Sequence, residues 1–258
     1  MKLSIIIPAY NEERRIESSL DEYLPHFSNR PYDTEFIIII EGDDKTLDIV
    51  KNFQKSYKNI VWEYSHCRLG KGGAIVRGFK HATGDLIGFV DADASTKPQA
   101  FEDLVKNISI NDGVIASRKI SGAKLVRKEP LLQRVGSRGF NTLVRLMFFL
   151  PFKDTQCGAK LFTRQAVLAV LPELGITEFS FDIDLLFRLV KKGFKIKELP
   201  TVWEYKPGTQ FNFRKWFWKL IPSMFLSLCR LRLLYSPLKQ IIKTYDSVNN
   251  KLKSLRKT

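Results

Sequence analysis

Two carboxylates, Asp91 and Asp93, follow the apolar run Leu86–Val90 and are separated only by Ala92. A short run rich in β-branched and aromatic residues predicts a buried strand, so the pair lies at the carboxyl end of that strand. Ligands of open α/β sheets bind at this edge. Two carboxylates at this spacing suit a hard divalent cation shared with substrate phosphates. The alternative is an acidic turn before a helix, because residues 95–98 (Ser-Thr-Lys-Pro) are a typical helix start.

Two other predicted strands also end in acidic residues. Residues 8–13 (Pro-Ala-Tyr-Asn-Glu-Glu) follow the strand that begins at Leu3, and residues 41–44 (Glu-Gly-Asp-Asp) follow the apolar run 36–40. The carboxyl ends of parallel strands lie at one sheet edge, so three acidic loops are expected to surround one cleft. Such a set of carboxylates repels itself unless a cation or hydrogen-bonding ligand groups are bound. Separate helix caps at Asn11 and Asp43 are the alternative.

Strands and helices alternate along the first 118 residues, which predicts βαβ units and a mostly parallel sheet flanked by helices. Continuous apolar runs indicate strands covered on both faces. Beyond Arg118 the pattern is mainly helical, with a strand or hairpin at 194–205. The predicted strands are 3–8, 36–40, 60–64 and 86–90, and the predicted helices are 12–24, 47–57, 72–82, 98–108, 130–149, 164–171 and 181–192. We expect an α/β domain over residues 1–206 and a helical extension over 207–258.

Composition excludes several classes of protein. With 44% hydrophobic and 27% charged residues, the chain is expected to be globular and not disordered. Its three cysteines form no CxxC pair, which argues against a disulfide framework or a zinc site and favours a reducing compartment. The first residues enter a strand and do not resemble a signal peptide. The spacings of a Walker loop and of a dinucleotide fingerprint are absent, so neither an NTPase nor a dinucleotide oxidoreductase is indicated.

The net charge of +15 is concentrated in two segments. Residues 207–258 contain eleven lysines and arginines and one acidic residue. Residues 118–145 contain eight lysines and arginines and one acidic residue. From 211 to 238 aromatics and leucines alternate with cations, and the longest charge-free stretch, 220–229, is too short to span a bilayer. This predicts amphipathic helices on an anionic membrane surface, with 143–152 as a second candidate. A helix packed on the sheet is the alternative. Nucleic acid is not the expected partner, because the aromatics lie in a helical apolar segment.

These loops, together with the acidic pair, resemble the nucleotide-sugar domain of family 2 glycosyltransferases over residues 3 to about 206. Four further segments are similar to the dolichyl-phosphate β-glucosyltransferase branch and, more distantly, to dolichyl-phosphate mannose synthases. They are 70–74 (Gly-Lys-Gly-Gly-Ala), 116–118 (Ala-Ser-Arg), 154–158 (Asp-Thr-Gln-Cys-Gly) and 181–185 (Phe-Asp-Ile-Asp-Leu). The Gln-Cys-Gly sequence favours the glucosyl branch.

The resemblance implies a GT-A fold, a UDP-sugar donor, Mg²⁺ or Mn²⁺, and a polyprenyl phosphate acceptor. Residues 1–118 would form the nucleotide-sugar half and 119–206 the acceptor half. Glu41 stands where the family usually has Asp, which changes the reach of that carboxylate toward the base or ribose. The residues expected to bind the donor are Pro8, Ala9, Tyr10, Glu12, Glu41, Asp43, Lys71, Asp91, Ala92 and Asp93. Asp93 is the expected metal ligand, with Asp91 as a second ligand or a contact of the donor sugar. Ala94 follows where the family often has glycine.

An inverting transfer displaces the diphosphate in line at the sugar C1. Arg118 is expected to bind phosphate oxygens of donor or acceptor, although it could also be an ordinary surface arginine. A phosphate nucleophile is already anionic, so Asp154 and Asp182 would orient the acceptor, whereas a hydroxyl acceptor would require one of them as a base. The residues expected to bind the acceptor are Arg118, Arg127, Arg134, Arg138 and Gln156.

The expected protein is thus an inverting hexosyltransferase, most simply of glucose from UDP-glucose, bound peripherally to the cytoplasmic face of a membrane. GDP-mannose or another donor, and a glycolipid or polysaccharide acceptor, remain open within the same class. A membrane- or nucleic-acid-binding protein without catalysis is the alternative from another class.

Overall fold

The computed structural model describes residues 1–127, 131–175, 180–204 and 221–236. The chain divides into two units, Met1–Pro207 and Gly208–Thr258, which are described separately. The strands of the first unit are β1 (Lys2–Tyr10), β2 (Asp33–Glu41), β3 (Ile60–Ser65), β4 (Leu86–Phe89), β5 (Gly113–Ser117), β6 (Lys124–Arg127), β7 (Lys160–Thr163), β8 (Ile196–Pro200) and β9 (Val202–Glu204). Its helices are α1 (Ile16–Ser28), α2 (Thr46–Ser56), α3 (Gly70–His81), α4 (Pro98–Lys106), α5 (Leu131–Phe148), α6 (Arg164–Val170) and α7 (Phe181–Lys191).

Seven strands form one sheet in the order β3-β2-β1-β4-β7-β5-β8, and β6 pairs with β9 in a second, two-stranded sheet. All pairs are parallel except those of β7, which runs antiparallel between β4 and β5. The predicted mostly parallel α/β sheet is therefore confirmed. The prediction of a mainly helical chain beyond Arg118 missed β6 and β7. Both strands have only four residues and carry lysine, so neither shows the long apolar run that identifies β1 and β2.

Both faces of the central strands are covered by helices. On one face Ile5 of β1 belongs to a core that includes Phe27 of α1 and Phe101 of α4. On the other face Ile6 meets α3 at Gly78, where a Cβ would overlap the Ile6 side chain. Glycine at 78 therefore allows the close approach of α3 to the sheet. The apolar strands are continuous because each side chain, whichever way it points, is buried.

The second unit contains one described helix, α8 (Ile221–Leu234), within the predicted helical segment 211–238. Its exposed side chains include Phe225, Leu226 and Leu233, beside Arg230 and Arg232. Residues 205–220 and 237–258, which carry most of the predicted membrane-facing cations, lie outside the described residues. Among the helices of the described part, none has the length and apolar character needed to cross a bilayer.

Candidate active site

The three acidic loops adjoin one another at one edge of the sheet. β1 lies between β2 and β4, all three parallel, and Tyr10 at the end of β1 is in register with Glu41 at the end of β2. Val90 continues β4 by donating its N–H to the Ile6 carbonyl, and Asp91 follows. The structure thus brings together the segments that the sequence places after three different strands.

Tyr10 presents a partly exposed ring at this edge, while Pro8 and Ala9 lie within β1. The guanidinium carbon of Arg68 lies 4.1 Å from the centroid of the Tyr10 ring, a cation–π contact. Arg68 was not predicted as a site residue. It belongs to the segment that leads from β3 into α3, and only the folded chain shows that this segment crosses over Tyr10.

Glu41 is buried and accepts backbone hydrogen bonds from Leu69 at 2.7 Å and Gly70 at 3.3 Å. Its carboxylate therefore lies at the N-terminus of α3, where a negative charge is favourable. The predicted contact of Glu41 with a base or ribose stays a prediction. Asp43 is exposed, and its N–H donates to Asn11 Oδ1 at 3.0 Å. Between them Gly42 has φ +97° and no room for a Cβ beside Asn11.

Glu12 faces the acidic pair from the first loop. Arg15 donates to its carboxylate from Nε and Nη2 at 2.6 and 2.7 Å. Burial raises the pKa of Glu12, the Arg15 guanidinium lowers it, and Asp93 and Asp91 raise it further, so the net shift is upward. The charges of the first and third acidic loops are therefore close enough to act on each other.

Lys71, in the first turn of α3, forms an ion pair of 2.6 Å with Asp91 Oδ1. Gly72 lets this turn lie directly on Phe181 of α7, since a Cβ at 72 would be 2.5 Å from the Phe181 Cβ. Burial opposes the charge of Asp91, but Lys71 outweighs it and lowers the pKa of this carboxyl. Burial likewise disfavours the ammonium, yet Asp91 and then Asp182 raise the pKa of Lys71. Both members of the pair are ionised at neutral pH.

Asp93 begins a tight turn and accepts the Ser95 N–H through Oδ1 at 2.9 Å. Ala94 has φ +55°, the left-handed region that favours glycine, at the position where the resemblance leads us to expect glycine. The turn is held from the other side by β9, because Glu204 donates its N–H to the Ser95 carbonyl at 3.0 Å.

The side chains at this edge supply only some of the ligands that a divalent cation needs. Within the described chain no three histidine, cysteine or acidic side chains form a group that could hold a metal ion. Mg²⁺ sites in phosphate-transfer enzymes use one or two carboxylates and take the other ligands from water and substrate phosphates. Asp93, with Asp91 beside it, has the chemistry for such a shared site.

Arg118 and Asp154 form a tightly hydrogen-bonded pair next to the acidic loops. Arg118 donates to the carboxylate from its backbone N at 3.0 Å, from Nε at 2.7 Å and from Nη2 at 2.9 Å. Asp154 is fully buried; burial raises its pKa, but the guanidinium prevails and the pKa is lowered to about 2. The guanidinium carbon also lies 5.1 Å from the centroid of the Trp203 ring.

The loop that follows Asp154 is held by three side chains from different elements. Glu198 of β8 accepts the Asp154 N–H at 2.8 Å, and Asn141 of α5 accepts the Thr155 N–H at 3.1 Å. Lys160 donates to the Cys157 carbonyl at 2.7 Å. Gly158, at the end of this loop, lies against the Asp91 carboxylate.

Asp182, in the first turn of α7, accepts from Lys160 Nζ at 2.5 Å. The Lys160 side chain is completely buried, and that of Asp182 nearly so. Sequence analysis singled out Asp182 but not Lys160. The available signal was a lysine within the short apolar run Ala159–Phe162, where an unpaired ammonium could not be buried.

A cavity of about 430 Å³ opens beside Arg118. Its lining residues are Arg118, Lys119, Ile120, Leu125, Arg134, Ser137, Arg138, Thr142, Arg145, Lys153 and Trp203. Six of these carry a positive charge, and none of the described residues along its wall is acidic. Three of the five predicted acceptor-binding residues, Arg118, Arg134 and Arg138, thus line one cavity.

The other two predicted acceptor-binding residues do not line the cavity. Arg127 is exposed at the end of β6. Gln156 lies in the loop between Asp154 and Gly158, and its Nε2 is buried without a hydrogen-bond partner among the described residues. The predicted contact of Gln156 with the acceptor stays a prediction.

Comparison with known proteins shows the family to which the chain belongs. Residues 4–171 match the model of the family described as Glycosyl transferase family 2. The chain is 34% identical over 221 residues to a dolichyl-phosphate beta-glucosyltransferase of Trichomonas vaginalis, covering 81% of this chain and 68% of that one. It is 33% identical over 230 residues to that of Saccharomyces cerevisiae, with the same shares. The chain thus spans about two thirds of the length of these relatives.

Among solved structures, glucosyl-3-phosphoglycerate synthase from Mycobacterium tuberculosis, in complex with Mn²⁺, UDP-glucose and phosphoglyceric acid, has a similar fold. The TM-score is 0.59 at 17% identity, covering 90% of this chain and 78% of that one. At 17% identity this similarity shows a shared fold and nothing about the reaction.

Proposed function

Because the chain belongs to glycosyl transferase family 2 and has the GT-A fold, we propose that it transfers glucose from UDP-glucose to a polyprenyl phosphate such as dolichyl phosphate. The proposed reaction inverts the anomeric centre, requires Mg²⁺ or Mn²⁺, and takes place at a membrane surface. Two relatives that are named dolichyl-phosphate beta-glucosyltransferases support this choice of donor sugar and acceptor.

The observation that carries the proposal is the cationic cavity beside Arg118. Among the described residues, six cationic side chains and no acid line it, which suits a phosphate monoester and disfavours a neutral sugar. Its volume of about 430 Å³ holds a phosphate with the first part of a chain, and the remainder of a polyprenol would extend outward. Arg118 is the cation of this cavity that also pairs with Asp154, the start of the loop that reaches Asp91.

The ion pairs of the nearby carboxylates Asp154 and Asp182 also support a phosphate nucleophile. A general base works best when its pKa lies near the working pH. Asp154, with a pKa of about 2, is held ionised by Arg118 and has little affinity for a proton. Asp182 bonds a buried ammonium. Asp154 is therefore not suited to remove a proton from a sugar hydroxyl, whereas a phosphate is anionic at neutral pH without help.

On the donor side, the chain offers charges of both signs to a nucleotide diphosphate. Lys71, in the first turn of α3, can donate charge-assisted hydrogen bonds to phosphate oxygens, and Asp91 beside it would face the donor sugar. Asp93 would hold the divalent cation together with the diphosphate. When bound, such a cation neutralises the charge that develops on the leaving diphosphate. As that charge appears, Lys71 would bond the leaving phosphate and hold it in line with the acceptor.

The direct test is transfer of labelled glucose from UDP-glucose to a chloroform-soluble product. The full chain would be assayed with Mn²⁺ or Mg²⁺ and a polyprenyl phosphate, with GDP-mannose and other UDP-sugars as competing donors. Asp93→Ala is expected to abolish transfer, and Asp103→Asn, which removes an exposed carboxylate on α4, is the matched control. Absence of product from every donor, or equal transfer to a polyprenol without phosphate, would refute the proposal.

A further inference from the structure

Lys160 is a completely buried lysine between the two halves of the site. In β7 it is in register with Phe89 of β4, two residues before Asp91, and with Ile115 of β5, three residues before Arg118. Its strand β7 thus lies between the strand that precedes the donor-side carboxylates and the strand that precedes the acceptor-side arginine. Nζ also lies 5.2 Å from the centroid of the Phe89 ring.

The two hydrogen bonds of this ammonium both reach groups of the site. One goes to the Cys157 carbonyl at 2.7 Å and the other to Asp182 Oδ1 at 2.5 Å. The residue after Cys157 is Gly158, which lies against the Asp91 carboxylate. The ammonium therefore links the loop whose end contacts Asp91 to the first turn of α7.

A buried ion pair is a poor source of stability, because desolvation of both charges offsets most of their attraction. Two apolar side chains of similar volume would fill the same space at comparable or lower cost. A stabilising role alone therefore does not explain a buried ammonium here. The two partners of the ammonium, the Cys157 carbonyl and Asp182, indicate instead that it fixes the positions of these two groups.

We infer that Lys160 is a positioning residue for glycosyl transfer: its ammonium fixes the loop 154–158 against Asp91 and keeps Asp182 away from Lys71. The inference rests on the proposed function for its kinetic consequence, but its structural consequence is independent of that function. Lys71 is the partner of Asp91, and Asp182 is the next largest negative influence on it. Without Lys160, Asp182 would compete with Asp91 for Lys71, and the loop would lose the donor to the Cys157 carbonyl.

Cys157 offers a readout of loop position that does not depend on activity. Its thiol is fully buried, and burial raises its pKa to about 11, so alkylation by N-ethylmaleimide is expected to be slow. Cys67 is exposed and Cys229 partly so; both would be changed to serine to leave one reporter. In this background, the rate of Cys157 alkylation and the kinetics of transfer would be measured side by side.

The variants are Lys160→Met, Asp182→Asn and the double Lys160→Met/Asp182→Asn. The double variant leaves no buried carboxylate without its counter-ion, so it guards against a single variant that fails to fold. Asp184→Asn is the matched control, because Asp184 is a buried carboxylate on the same helix that accepts a hydrogen bond from Arg188 Nε at 2.7 Å.

Loss of Lys160, alone or in the double variant, is expected to speed alkylation of Cys157 by about tenfold or more relative to the same chain with Lys160 present. In Lys160→Met the kcat of transfer is expected to fall by about 10- to 100-fold, as for other losses of a supporting residue, while Asp184→Asn keeps both rates. Equal alkylation with and without Lys160 would overturn the inference, as would an unchanged kcat in an active background. Absence of transfer in the unchanged chain would refute the proposed function alone, and alkylation of Cys157 would still decide the role of Lys160.

Discussion

The α-carbon of Gly158 lies against the carboxylate of Asp91, so closely that a Cβ at position 158 would overlap Asp91 Oδ2 and Cγ. Residue 158 ends the loop that begins at Asp154, and Asp91 begins the turn that carries Asp93. The contact therefore joins the loop paired with Arg118 to the carboxylate paired with Lys71. Movement of either loop changes the position of the other.

Gly158→Ala is predicted to impair transfer strongly. The new methyl group must displace either the Asp91 carboxylate or the loop, and a displacement of about 1 Å in reacting groups lowers a rate by about 100-fold. We expect kcat to fall by about that factor with the chain still folded. Gly175→Ala is the control, because a Cβ at 175 meets no atom of the described residues within 4 Å. Comparison of kcat and thermal melting for both variants checks this, and an unchanged kcat in Gly158→Ala would show that Asp91 does not act in transfer.

Lys71→Met is predicted to weaken donor binding. The substitution keeps most of the side-chain volume but removes the cation at the N-terminus of α3, where the diphosphate is expected. Loss of a charge-assisted hydrogen bond costs about 1.5–3 kcal/mol, or about 10- to 100-fold in affinity. Calorimetric titration with UDP and Mn²⁺ measures this directly. Lys80→Met, an exposed lysine in the last turn of the same helix, should bind UDP as the unchanged chain does. Equal affinity of the two variants would contradict the role given to Lys71.

The elements that position the donor side could be predicted from the sequence, because their signal is local. β1 and β2 are long runs of apolar residues, and the acidic residues that follow them identify their carboxyl ends. Helix α4 begins at Pro98, as the residues before it indicate. The family motifs then give the fold by resemblance.

The contacts that complete the site could not be predicted, because they join residues that are distant along the chain. Glu41 stands at the end of a strand, where the sequence suggests a ligand-binding acid. Its carboxylate instead accepts the N–H groups of residues 69 and 70 and so caps α3. Lys160 lies in a four-residue strand, and its partner Asp182 belongs to a different element. Neither pairing leaves a periodicity or a spacing in the sequence, since one depends on how β2 meets the start of α3 and the other on how β7 meets α7.

Removal of cations from the cavity is predicted to affect the acceptor and not the donor. Arg134→Ala and Arg138→Ala each remove a cation from its wall, and we expect the KM for polyprenyl phosphate to rise by about tenfold for each. The KM for UDP-glucose should stay within about twofold, because the donor cations are elsewhere. Arg14→Ala, an exposed arginine of the loop before α1, is the control. A rise in the donor KM instead would assign the cavity to the nucleotide.

Binding to anionic membranes is predicted from the charge of residues 207–258. We expect the full chain to sediment with vesicles that contain phosphatidylserine, to bind phosphatidylcholine vesicles less, and to be released by salt. Replacement of Arg214, Lys215 and Lys219 by glutamine should weaken binding, since each cation near the surface contributes about 1 kcal/mol. The control replaces three exposed lysines of the first unit, Lys55, Lys58 and Lys80. A chain that stays in the supernatant with every vesicle would refute membrane association.

The pH dependence of stability should reveal the Arg118–Asp154 pair. The folded-state pKa of Asp154, about 2, lies below the value of about 3.9 in an unfolded chain, so the carboxylate stabilises the fold above that higher value. The difference corresponds to about 2 to 3 kcal/mol at neutral pH. This contribution is lost as the pH falls from about 5 toward 2, and roughly half is gone by pH 3. Urea unfolding of the unchanged chain and of Asp154→Asn at pH 3 and pH 6 measures it. The difference in unfolding free energy between the two should be larger at pH 6 by about 1 kcal/mol, whereas Asp103→Asn should show no such change. A difference independent of pH would mean that Arg118 does not hold Asp154 ionised.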